Sequence, residues 1–129
     1  MEFLIVNLIL LLAVLLDATG DAFRTRGKQV IHHMMEVAQI GTWVALWALF
    51  DFHWLYILLY TFARFVFFNL TYNLIAGNKW YYTGKSNLFD KAENWIAKSQ
   101  GAQFVAVIPR IIILVWWLAW ILTNANGKF

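Results

Sequence analysis

Four runs of about 20 mostly apolar residues, at about 3–23, 30–50, 54–76 and 102–123, take up most of this chain. A helix of that length crosses roughly 30 Å of hydrocarbon, and it satisfies its own backbone hydrogen bonds while doing so. The sequence therefore predicts an all-α integral membrane protein: one domain of 129 residues with four transmembrane helices. Composition agrees, since 62% of residues are hydrophobic and only 13% charged, the latter about half the share in soluble domains. No Lys or Arg precedes Arg24, so the first run lacks the basic start of a cleaved leader and reads as a retained helix.

The polar stretches between the runs give the layout. Residues 51–53 are too few for anything but a tight turn, so the second and third helices are antiparallel. Residues 77–101 form the one long polar segment. Within it, Leu88, Ala92, Trp95 and Ile96 recur at helical spacing opposite Lys91, Glu93, Asn94 and Lys98. That pattern, with Asn87 and Gly101 as caps, predicts a short amphipathic helix over about 88–98 lying at the membrane surface. Gly77 is placed to end the third helix.

Basic residues give orientation. Arg24, Arg26 and Lys28 fall in the first loop and Lys79, Lys85, Lys91 and Lys98 in the third, while the second loop and C-terminal tail contribute only Lys128. The expected topology has the first and third loops cytoplasmic and both termini on the opposite side. The lipid bilayer is the expected partner, with a homo-oligomer or larger membrane complex as a further option. Nucleic acid is excluded, because the modest net charge of +3 forms no basic stripe interleaved with aromatics. The absence of cysteine removes disulfides, thiolate metal sites and cysteine nucleophiles.

Against this layout the remaining polar residues are conspicuous. Asp17 and Asp21 lie toward the cytoplasmic end of the first helix, and His32, His33 and Glu36 toward that of the second. Arg64, Asn69, Tyr72 and Asn73 follow on the third helix, and Arg110, beside Pro109, on the fourth. A charge at the middle of a membrane helix costs about 2.5–3.5 kcal/mol, so Asp17, Arg64 and Arg110 need partners inside the bundle. The simplest pairing joins Asp17 to Arg64 or Arg110. All four helices thus contribute to a polar pocket in the cytoplasmic half, facing an outer half that is apolar and aromatic.

The spacing suggests chemistry. Asp17 and Asp21 are one helical turn apart, as are Glu36 and either His32 or His33. These five residues offer carboxylate and imidazole ligands suited to Zn, Fe or Mn. Arg64 and Arg110, with Asn69, Tyr72 and Asn73 nearby, could instead hold a phosphate or another anion, leaving Asp17 and Glu36, with Arg64, as catalytic groups. The sequence thus supports a small membrane protein with a metal- or anion-binding pocket that acts on a lipid or amphiphile. The alternative is a non-catalytic membrane subunit or oligomeric pore-former whose charges serve helix packing.

Several lookalikes carry nothing. Gly84-Lys85-Ser86 lacks the earlier glycine of a phosphate-binding loop. Asn69-Leu70-Thr71 matches a glycosylation acceptor but lies inside the third helix. Trp43, Trp47, Trp54, Trp116, Trp117 and Trp120 are expected to form an outer aromatic belt.

Overall fold

The computed structural model describes residues 2–50, 53–81, 91–92, 94–95, 98 and 107–124. Among these the chain forms four α-helices and no strand: α1 (Glu2–Thr25), α2 (Gln29–Leu49), α3 (Leu55–Ala76) and α4 (Ile108–Asn124). α1 and α3 are long and apolar enough to cross a membrane, and α4 is apolar but has 17 residues. α2 is long enough, but Gln29, His32, His33, Glu36 and Gln39 break up its apolar surface. The interfacial helix expected at 88–98 lies largely outside the described residues, as do its caps. Lys91, Ala92, Asn94, Trp95 and Lys98 are helical, with Trp95 exposed. Residues 51–52 and 102–106 also lie outside the description.

α1 is the centre of the bundle. It packs along both α2 and α3, whereas α4 leans mainly on α3 and touches α1 more lightly. The reason is visible in its side chains. Ala13, Val14, Ala18, Gly20 and Ala22 are all buried, and small residues let neighbouring backbones come close. At Gly20 the approach is tightest: a Cβ there would sit 3.1 Å from Met35 Cβ and 3.3 Å from His32 Nδ1.

The connection from α1 to α2 is three residues long and closed by backbone alone. Gly27 takes a positive φ of 73°, Gly27 N–H donates to Arg24 O and Lys28 N–H to Phe23 O. This pair of bonds is the Schellman arrangement, which needs a residue without Cβ at the left-handed position. Gly77 ends α3 as its position predicts, with φ 77° and its N–H on Asn73 O. The Arg26 guanidinium reaches to within 3.7 Å of where a Gly77 Cβ would be. The α1–α2 turn and the carbonyl-rich end of α3 therefore share one end of the bundle, with a cation beside the negative pole of the α3 dipole.

The opposite end holds the large core side chains. Val6, Leu10, Leu46, Tyr56, Leu59 and Trp117 form one buried cluster. Trp117 departs from the expected outer belt: it is buried, and its Nε1–H donates to Asn7 Oδ1 at 3.2 Å. Asn7 is itself buried and returns Nδ2–H to Phe3 O at 2.8 Å. Trp43 packs edge-on against Tyr60, and Trp120 edge-on against Phe3. Trp47, Trp54 and Trp116 stay exposed, as a belt requires.

Candidate metal centre

Two polar groups share α2, one reaching it at Gln39 and the other formed by His32, His33 and Glu36. The first spans three helices. Asp17 on α1 accepts at Oδ2 from Arg64 Nε (2.9 Å) and from the Tyr60 hydroxyl (3.3 Å), both on α3. Gln39 on α2 donates from Nε2 to the Tyr60 oxygen at 2.9 Å. Of the two pairings open to Asp17, the helices realise the one with Arg64. Tyr60 precedes Arg64 by four residues, so one face of α3 carries both donors. The Arg64 guanidinium also lies over the Phe68 ring, 4.2 Å from its centroid. Gln39 and Tyr60 were not apparent as site residues in the sequence. The available signal was spacing: Gln39 lies three residues beyond Glu36, and Tyr60 one turn before Arg64.

The second group is built on α2 alone. Glu36 Oε1 lies 3.2 Å from His32 Nε2, and Glu36 Oε2 lies 2.8 Å from His33 Nδ1. One carboxylate thus bridges adjacent histidines, because i+3 and i+4 neighbours flank the same helical stripe. One ligand atom from each of the three residues falls within 4.8 Å of the others. The environments differ sharply. His32 is buried at 6% exposure and His33 faces outward, its side chain 68% exposed. The phase of α2, ambiguous in the sequence, is therefore fixed with His32 inward. Its Nδ1, turned toward Gly20, has no hydrogen-bond partner.

The other expected site residues are distributed elsewhere. Asp17 belongs to the three-helix network and Asp21 to neither group, so the cluster holds three of the five expected metal ligands. Asp21 is half-buried on α1, within electrostatic range of Asp17, His32, Arg24 and Arg64. Arg110 is buried at the start of α4, where Pro109 is harmless because first-turn N–H groups have no helical acceptor. It lines an apolar cavity with Val66, Leu70, Trp80, Val107, Ile111 and Leu114, and Arg64 is not in that lining. Asn73 is buried and occupied with closing α3: its Nδ2 donates to Trp80 O at 3.4 Å and its Oδ1 accepts from Asn78 at 3.5 Å. Tyr72 stacks on Phe68, and Asn69 is half-buried on the same helix.

The chain matches no protein-family model, no curated protein and no solved structure.

Proposed function

We propose that the protein is an integral membrane four-helix bundle that binds one divalent transition metal through His32, His33 and Glu36. The observation that carries this reading is the convergence of two imidazoles and a carboxylate from one turn of α2. Two nitrogens and one carboxylate oxygen suit Zn best, with Fe and Mn as the other candidates. Three protein ligands leave a coordination position for water, whose pKa a bound Zn lowers to about 7. Because His33 and Glu36 face outward, that position is accessible, which equips the site for metal-assisted hydrolysis of an amphiphile at the membrane surface.

In the same reading the first and third loops are cytoplasmic and both termini lie on the other side. The supporting observations are the excess of basic residues in those two loops and the placement of the α1–α2 turn beside the end of α3. The Asp17–Arg64–Tyr60–Gln39 network then fastens α1, α2 and α3 below the site. That network also favours the rival reading, a non-catalytic membrane subunit in which buried charges serve assembly, since it joins three helices without needing a ligand.

Elemental analysis of protein purified in mild detergent without chelator separates the two. The metal reading expects close to one transition metal per chain, lost in His33→Ala and Glu36→Gln variants that keep their helicity. Metal-free protein that also stays metal-free after Zn²⁺ is added sinks it and leaves the subunit reading.

A further inference from the structure

Metal binding at this centre would place unequal demands on the two histidines. A ligating imidazole is neutral, with one nitrogen on the metal and the proton on the other, and that N–H nearly always has an acceptor. The His33 ring is exposed, so its far nitrogen is open to an acceptor from outside the chain. For His32 the far nitrogen is Nδ1, which is buried and has no hydrogen-bond partner. The protein itself must provide for it.

The candidates are few. Nδ1 lies beside Gly20, where the missing side chain gives the ring room against α1. The next residue is Asp21, half-buried on α1 and within electrostatic range of His32. Asp17, one turn back, is held by Arg64 and Tyr60. We infer that Asp21 is the carboxylate that accepts the Nδ1–H of His32 when Nε2 holds the metal. The inference rests on the metal reading above and makes Asp21 a positioning residue for that site.

Without metal, Nε2 lies 3.2 Å from the Glu36 carboxylate and Nδ1 has no hydrogen-bond partner. A metal on Nε2 would leave the ring proton on Nδ1, and that proton would need an acceptor. On this inference the acceptor comes from α1. One helix supplies the ligands and its neighbour fixes the orientation of the buried one.

The test is Zn²⁺ titration of the full chain in detergent against a competing indicator, comparing the unsubstituted protein with Asp21→Ala and Asp21→Asn. Nitrogen-15 spectra of the histidine rings are recorded alongside. The unsubstituted chain should bind one Zn²⁺ and show a protected His32 Nδ1–H only when loaded. Asp21→Ala should keep that stoichiometry but bind about 10- to 100-fold more weakly. It should lose the protected Nδ1–H, and its metal-free melting temperature should be unchanged. Asp21→Asn, whose amide oxygen still accepts, should fall between, and it decides the matter if the alanine variant does not fold. Equal Zn²⁺ affinity in the folded variants overturns the role of Asp21 and leaves the metal site standing. An unsubstituted chain that binds no Zn²⁺ overturns both.

Discussion

At the scale of single residues, two glycines with the same backbone preference have opposite roles. Gly20 is buried at the α1–α2 contact, where any Cβ presses on Met35 and the His32 ring; around Gly41 on α2 there is nothing within 4 Å. Gly20→Val should destabilise the bundle by about 1–3 kcal/mol through overpacking. Gly41→Ala should stabilise it by about 0.5–1 kcal/mol, the ordinary gain from removing glycine inside a helix. Reversible unfolding in mixed micelles, followed by circular dichroism, checks both, and equal effects would mean that the close approach at Gly20 carries no weight. This contrast shows how far the sequence could be read. The polar residues stood out because charge among apolar residues is costly, so Asp17, His32, His33, Glu36 and Arg64 were legible as a group. The close contact that orients His32 depends on a side chain that is missing, and a missing side chain has no polarity to announce it. Asn73 was legible as a polar residue on an apolar helix, but its role in closing α3 depends on the backbone course of residues 78–80.

At the scale of elements, the three-helix network makes α1, α2 and α3 interdependent. Asp17 is the shared acceptor, so removing its charge leaves Arg64 half-buried without its counter-ion. Asp17→Asn should cost about 2 kcal/mol, in the range for hydrogen bonds to charged groups. Tyr60→Phe should cost about 1 kcal/mol, since it deletes one neutral donor and strands the Gln39 amide. Because Asp17 and Arg64 touch, the double variant Asp17→Asn, Arg64→Met should be less unstable than the sum of its parts by about 1–3 kcal/mol. Strict additivity in that cycle would show the pair to be energetically idle. The helices themselves were readable from apolar run length: α1, α2 and α3 begin and end within two residues of the expected limits. Their arrangement was less so. Apolar runs carry no direction of burial, and the central position of α1 follows from its line of alanines and glycine rather than from hydropathy. Trp117 shows the same limit, being read as a belt residue until Asn7, far away in the sequence, supplied its hydrogen-bond acceptor.

At the scale of the whole molecule, the polar and apolar halves of the bundle make opposite claims on their surroundings. The end built around Val6, Leu10, Leu46, Leu59 and Trp117 carries one buried polar pair, Asn7 with Trp117, and exposes Trp47, Trp54 and Trp116. The other end carries the His32–His33–Glu36 cluster, the α1–α2 turn and the basic residues around it. On the proposed topology the basic loops set one orientation in the bilayer. The chain contains no cysteine, so single cysteines can be introduced one at a time without a background. Replacing Lys28 in the α1–α2 turn and Lys79 after α3 should give variants that react with a membrane-impermeant maleimide only after cells are opened. Replacing Glu2 or His53 should give variants that react in intact cells. Labelling of all four from outside would mean that the bundle does not span the bilayer, and the reversed pattern would turn the site to the outer surface. In that case the His32–His33–Glu36 cluster would face the extracytoplasmic leaflet, and the ligand of the proposed metal site would have to be sought there.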